Sequence, residues 1–231
     1  MKVDTHVHTL PVSRCATKTS EELPSYFAAA GVDAFVLTNH YYPHHCNCLS
    51  EDLSEQARLY LDAFYRCREA GKACGVGVYF GCEVKLIHEP HTPEFLLIGI
   101  AEELFLETYP LYEKSQKELF DFCNEHDILM IQAHPFRAEQ GYEPADTRYM
   151  HGVEVHNSQF IPHPEETHAL AKAHGLMMTA GSDLHRCEQA GMAYMVVPDT
   201  VCDQFTLRDA LKHGPWILCD QNGVMYHEES L

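Results

Sequence analysis

Basic side chains are scarce in this chain of 231 residues, where 16 lysines and arginines face 34 aspartates and glutamates for a formal charge of −18. Such a surface repels a phosphate backbone and argues against extended nucleic-acid binding. Long apolar runs are also missing. None approaches the roughly 20 residues that cross a bilayer, so no membrane partner is expected. Met1-Lys2-Val3-Asp4 passes straight into a strand-like stretch without the blocks of a secretory signal, which points to a cytoplasmic protein. Paired CxxC motifs are absent, so the ten cysteines are expected as reduced, mostly buried thiols. Only Cys46 and Cys48 lie close together, and with His44 and His45 they form a minor candidate for metal binding. No low-complexity linker, charge block or repeat marks a second domain. A hydrophobic content of 45% suffices for one core, and residues 1–231 read as a single domain.

Histidine, by contrast, is abundant: 17 histidines outnumber the lysines and arginines combined. They recur with carboxylates where β-like runs end. Asp4-Thr5-His6-Val7-His8 comes first, followed by His40, Glu83, His134, Glu154-Val155-His156 and Asp183-Leu184-His185. Ligand-type side chains far apart in sequence, but parked at the same end of successive strands, imply one shared metal site.

The pattern between them alternates strand and helix. Lys2–His8 alternates as a strand, and Thr19-Ser20-Glu21-Glu22 is a capping box for a helix that stops at Gly31. Strands are expected at 34–38, 76–80, 95–100, 128–132, 153–156, 176–179 and 193–197, with a last one near Trp216. A longer helix should open at Ser50, set Leu53, Ala57, Leu61 and Phe64 on one face, and end at Gly71. Further helices are expected near 111–126, 164–174 and 207–212. Such repeats favour a parallel sheet with right-handed crossovers, closed or distorted into a barrel. In (β/α) barrels chemistry gathers at the C-terminal strand ends, where these residues fall.

Each candidate has a chemical reason. His6 and His8 are two apart on a strand, so both imidazoles share a face and can grip one ion, with Asp4 available to orient a ring. Asp183 and His185 repeat that spacing after Gly181-Ser182. Glu83 follows a glycine and carries a carboxylate able to bridge two ions. His134 precedes Pro135, which restricts the turn, and His40 closes an apolar strand. His156 is a ligand or acid candidate with Glu154 beside it. Arg137 can bind a phosphate through its guanidinium fork, with Lys85 and Arg186 as weaker candidates.

The motifs Asp4-Thr5-His6-Val7-His8, Thr38-Asn39-His40, Gly81-Cys82-Glu83, Ala133-His134-Pro135, Gly152-Val153-Glu154-Val155 and Gly181-Ser182-Asp183-Leu184-His185 resemble, in order, those of the polymerase-and-histidinol-phosphatase (PHP) family. The resemblance covers nearly the whole chain. It implies a distorted (β/α)7 barrel that hydrolyses phosphoesters with two or three divalent ions of manganese, zinc or iron. It further implies that His6, His8, Glu83 and Asp183 hold one ion, that Glu83 and His134 hold a second, and that His40 and His185 hold a third.

Three positions depart from the family pattern. Asn39 stands where an aspartate is usual, and Ser13-Arg14-Cys15 offers no clear match to the family's third-site residue. An apolar residue near Phe95 or Leu96 replaces a strand histidine, for which Glu94, His88 and His91 are the candidate substitutes. The expected activity is that of a metal-dependent phosphatase or phosphodiesterase acting on a small phosphorylated substrate. His185 or His156 would serve as acid and Arg137 would bind the phosphate. Two alternatives stay open: a degenerate PHP module with a metal-binding or regulatory role, and an amidohydrolase-like metal hydrolase.

Overall fold

The apolar runs form the strands of one curled, mixed sheet in a computed structural model that describes residues 1–137, 143–158 and 164–227. Among these the strands are β1 (Lys2–Val7), β2 (Ala34–Leu37), β3 (His40–Tyr41), β4 (Gly77–Lys85), β5 (Glu94–Ile98), β6 (Leu129–Gln132), β7 (Gly152–His156), β8 (Met177–Ala180), β9 (Tyr194–Val196), β10 (Ile217–Cys219) and β11 (Met225–His227). The order across the sheet is β11-β10-β9-β1-β2-β4-β5-β6-β7-β8, with the short β3 paired beside β4.

β1, β2 and β4 are parallel, as are β6, β7 and β8. β5 instead runs antiparallel to both β4 and β6, a departure from the expected parallel sheet. The reason lies in the connection. A parallel crossover needs a dozen or more residues, and the 86–93 link is shorter than that. The ends of the curl meet through backbone bonds: His8 N–H donates to the Leu184 carbonyl (3.1 Å), and Leu184 N–H donates to that of His6 (3.3 Å). The Thr5 hydroxyl adds a bond to the Ala180 carbonyl at 3.1 Å.

Helices pack outside the sheet: α1 (Leu23–Ala30), α2 (Pro43–Cys46), α3 (Leu53–Cys74), α4 (Glu102–Thr108), α5 (Gln116–Glu125), α6 (Pro164–His174) and α7 (Gln204–His213). Thr19 and Glu22 bond reciprocally, and α1 stops at Gly31 in the left-handed conformation, as the sequence predicts. α3 differs at both ends. Asp52 caps it by accepting Glu55 N–H at 2.8 Å, while Ser50 only supports Asp52. Gly71 does not end it; the helix runs on to a left-handed Gly75. Gly71 is there because a Cβ at that position would meet Val78 Cγ2 at 2.6 Å and the Val76 carbonyl oxygen at 2.7 Å.

Of the expected face, Ala57, Leu61 and Phe64 are buried and Leu53 is exposed. The core is continuous, drawing Val3 and Val7 from β1, Phe35 from β2, Phe80 from β4 and Phe95 from β5. Among the described residues no helix is long and apolar enough to cross a membrane.

Candidate metal centre

His6 and His8 lie at the end of β1, and β3 sets His40 directly opposite Glu83 of β4. Glu83 therefore sits within a longer strand and does not follow one. The loop after β8 brings in Asp183 and His185, and it reaches β1 only because residue 181 is glycine. A Cβ there would meet His6 Cβ at 2.5 Å. His134 and Asp183 both adopt positive φ, 30° and 51°, which is uncommon for residues with side chains and concentrates at functional sites.

These segments bring together His6, His8, His40, Glu83, His134, Asp183 and His185. His6 Nε2 lies 3.3 Å from Glu83 Oε1 and 3.4 Å from Asp183 Oδ1. His8 Nε2 is 3.1 Å from Asp183 Oδ1 and 3.6 Å from Glu83 Oε2. His134 Nε2 is 3.2 Å from Glu83 Oε1, and His40 Nδ1 is 2.5 Å from Glu83 Oε2. Three groups of nitrogens and oxygens converge closely enough to hold an ion: His6, His8 and Asp183; His6, Glu83 and His134; His8, His40 and His185. His6, His8 and Glu83 are fully buried. Among the described residues, His6 Nε2, His8 Nε2 and Glu83 Oε2 are buried and, despite these close contacts, make no well-aligned hydrogen bond. Such atoms are costly unless something else satisfies them, and a divalent cation suits this donor set.

A second layer fixes the rings. His6 Nδ1 is 2.9 Å from Glu154 Oε1, and Glu154 Oε2 accepts the His134 backbone N–H at 3.2 Å. With its Nδ1 proton directed to a carboxylate, His6 turns Nε2 inward. Ser13 contacts His8 Nδ1 at 3.1 Å, accepts His40 N–H at 2.9 Å and donates to Asn39 Oδ1 at 2.9 Å. Asn39 thus holds Ser13 and the backbone of Thr9, whose N–H it accepts at 2.7 Å. Asp4 does not orient a ring. It accepts N–H from His6 (3.1 Å) and Ser182 (2.9 Å), which ties β1 to the loop bearing Asp183.

Electrostatics follow this geometry. Burial raises Glu83 and Asp183, but the imidazoles outweigh it and hold both carboxyls well below their usual range, His40 and His6 acting on Glu83 and His6 and His8 on Asp183. Burial lowers His6, yet Glu154, Asp183 and Glu83 carry it well above its usual value. For His40, burial is overcome by Glu83 and Cys15, and its pKa rises to about 10. His8 goes the other way, lowered by burial and by His40 and His185. Burial lifts Asp4 to about 7, against the hydrogen bonds of Ser182. The centre is a field of carboxylates that favours cations.

Above it opens a cleft of about 610 Å³, lined by Arg14, Cys15, His40, Tyr42, Glu94, Arg137 and His185, among others. Lys85 and Arg186 complete four cations around a mouth on an otherwise acidic chain. Of the candidate substitutes for the strand histidine, Glu94 comes beside His134, its Oε2 3.5 Å from His134 Nε2 and its Oε1 3.0 Å from Lys85 Nζ. His88 pairs with Glu113 on the surface and does not fill that place, and His91 is exposed.

Cys15 was not assigned a role from sequence. It groups with His40 and His45. Burial raises its thiol, but hydrogen bonds from His185 and His40 outweigh this and hold it at about 6.

His156 is not brought to the cluster. The β7–β8 register shifts between Glu154 and His156, breaking the two-residue alternation. Its Nε2 lies 3.1 Å from that of His168, and its ring stacks on Tyr226. Tyr41 is buried, and its hydroxyl accepts Leu111 N–H at 2.8 Å. Cys46 faces Tyr109, and burial pushes its thiol up to about 11; among the described residues Cys46 and Cys48 do not converge with His44 and His45 into a ligand group.

No protein-family model and no curated protein matches the chain. Solved structures do. A two-domain protein from Bacteroides vulgatus containing a predicted PHP-like metal-dependent phosphoesterase has a TM-score of 0.66 at 22% identity, over 95% of this chain and 64% of that one. The chain thus spans less than two thirds of that protein. A proposed metal-dependent phosphoesterase from Bifidobacterium adolescentis gives a TM-score of 0.55 at 15% identity, covering 92% of this chain and 96% of the other. An amidohydrolase from Chromobacterium violaceum, with bound sulfate and no metal, gives 0.51 at 15% identity, covering 91% and 97%. The fold is that of PHP-like proteins, a curled barrel-type α/β sheet, in agreement with the sequence motifs.

Proposed function

We propose that this protein is a metal-dependent phosphoesterase acting on a small soluble phosphate ester. One observation carries the reading: buried imidazoles and carboxylates from separate strand ends converge beneath a cleft ringed by Arg14, Lys85, Arg137 and Arg186. In this reading residues 1–231 are one domain. β1, β2, β4, β5, β6, β7 and β8 supply the seven strands of a distorted (β/α)7 barrel. The ten free cysteines fit a reducing, cytoplasmic setting.

His6, His8, Glu83 and Asp183 would hold one divalent ion. Glu83 and His134, with Glu94 in place of the missing histidine, would hold a second, and His40 and His185 a third. Bound manganese, zinc or iron would supply Lewis acidity, lowering the pKa of water and neutralising charge on phosphoryl oxygens. Arg137 would bind the phosphate and stabilise charge building on its equatorial oxygens. Lys85, held by Glu94, adds a second positive charge at the mouth. Where two ions are bound and His185 holds none, His185, at the cleft wall with Nδ1 2.9 Å from the Asp183 carbonyl, would return a proton to a leaving alkoxide. His156 has no part in this scheme.

The amidohydrolase-like alternative draws on the Chromobacterium violaceum structure. In such barrels a lysine is expected to bridge the ions; here Glu83, grouped with His6 and His134, would take that position. The test is hydrolysis of a phosphate-ester panel by purified protein supplied with manganese or zinc, alongside His6→Ala and His134→Ala. Metal content should reach two or more equivalents and fall in both variants, with loss of turnover. Full metal loading without hydrolysis of any phosphate ester would sink the proposal.

A further inference from the structure

We infer that Cys15, with His40, His45 and His185, forms a mixed thiolate–imidazole pocket at the cleft wall, suited to zinc or ferrous iron over manganese or magnesium. The inference rests on the reading of His40 and His185 as ligands and adds two residues of this chain to them. Cys15, His40 and His45 offer ligand atoms within 4.8 Å of one another, and His40 also belongs to the group with His8 and His185. The two triads share His40, so one imidazole can serve a pocket open to the cleft while its neighbours face the buried centre.

The rings are oriented for ligation. His185 Nδ1 lies 2.9 Å from the Asp183 carbonyl, and His45 Nδ1 lies 3.2 Å from that of Val12. A proton on each Nδ1 satisfies the carbonyl and leaves Nε2 with its lone pair, the usual way backbone oxygens orient metal-binding imidazoles. The same nitrogen of His45 also lies 3.2 Å from Arg14 N–H, and a metal on Nε2 would select the tautomer bonded to Val12. The His40 and His45 ring centroids are 4.6 Å apart, and those of His8 and His185 also 4.6 Å.

Donor chemistry decides which ion fits. Thiolate is a soft ligand and imidazole a borderline one, a pairing that suits zinc and ferrous iron, whereas manganese and magnesium favour oxygen. The inner groups each add a carboxylate to two imidazoles and contain no thiol, so the chain would carry two kinds of pocket side by side. Binding at the outer one displaces the thiol proton to solvent, since thiolate is the ligating form.

Cobalt(II) is the probe, because a cysteine thiolate gives it a charge-transfer absorption in the near ultraviolet that imidazole and carboxylate do not. Metal-stripped protein reloaded with cobalt should show this band. Cys15→Ser should abolish it while keeping the visible bands of the inner sites, and His45→Ala should weaken cobalt binding at this pocket roughly 10–100-fold. Cys48→Ser, which removes the neighbouring exposed thiol, should leave the band intact.

Alkylation of Cys15, followed by mass spectrometry on unmodified protein, gives an independent readout. Zinc should slow it and magnesium should not. The inference is overturned if cobalt binds without the band, if the band survives Cys15→Ser, if no cobalt is retained, or if zinc leaves alkylation unchanged. A Cys15-dependent band in a protein that hydrolyses no phosphate ester would sink the phosphoesterase reading and leave the pocket standing.

Discussion

Glu154 Oε1 lies 2.9 Å from His6 Nδ1, and through this contact a strand on the far side of the sheet sets which face of the imidazole looks into the centre. Both groups are fully buried, so the pair is not screened by solvent. The same carboxylate accepts N–H from the His134 backbone and from the Asn157 side chain. It therefore orients one ligand-type ring and anchors the strained turn of another.

That arrangement predicts the outcome of Glu154→Gln. The amide keeps the shape and loses the charge, so metal affinity should fall by roughly 10–100-fold while the fold persists. Metal titration followed by circular dichroism checks both halves. Unchanged affinity would mean that Glu154 is only a packing residue.

Arg137 lines the cleft outside the buried centre. Arg137→Ala should leave metal content as it is and lower kcat/KM for a phosphate ester by roughly 10–100-fold, the equivalent of about 1.5–3 kcal/mol for a hydrogen bond to a charged group. Steady-state kinetics with elemental analysis separates this from loss of metal. A wild-type kcat/KM in the variant would remove Arg137 from the substrate site.

Removing metal should destabilise the protein as well as silence it. The centre buries Glu83 and Asp183 among His6, His8, His40 and His134, and a bound cation would link them. An ion present at a thousand times its dissociation constant stabilises by about 4.1 kcal/mol. Melting in excess chelator should therefore occur well below melting in zinc, and readdition should restore it. Identical melts would argue against tight ion binding at these residues.

Acid stability should report on His151, away from the centre. Its Nδ1 accepts Met130 N–H at 3.0 Å and its Nε2 faces Asn124 Oδ1 at 3.3 Å, a pattern that requires the neutral ring. Burial, then the Lys212 charge, lowers its pKa from 6.5 to about 4. The unfolded chain thus binds more protons than the native one between those values. The His151 contribution is present above about pH 6.5 and is lost as pH falls toward 4. Thermal melts across that window should fall more steeply for wild type than for His151→Gln. Parallel pH profiles would show that this ring does not govern the loss.

The sequence by itself determined the side chains that could bind metal and their strand-end positions. Donor type and strand alternation are local properties, so His6 and His8 could be paired from their spacing alone. The capping box at Thr19 and the stop at Gly31 were legible for the same reason. Where a second requirement competed with the local one, sequence reading went astray. Gly71 looks like a helix stop but exists to admit Val76 and Val78, and β5 reverses because its connection is too short for a crossover.

What only the tertiary structure decided is which neighbours the donors meet. Glu154 and His156 share a strand and a spacing, yet a register shift gives one to the centre and sends the other to His168. Glu94 comes beside His134, and Cys15 beside His40 and His45, only when the sheet has curled and its connecting loops have packed over the strand ends. Such approaches arise from contacts across the sheet between residues distant in the chain, which no pattern along one strand encodes.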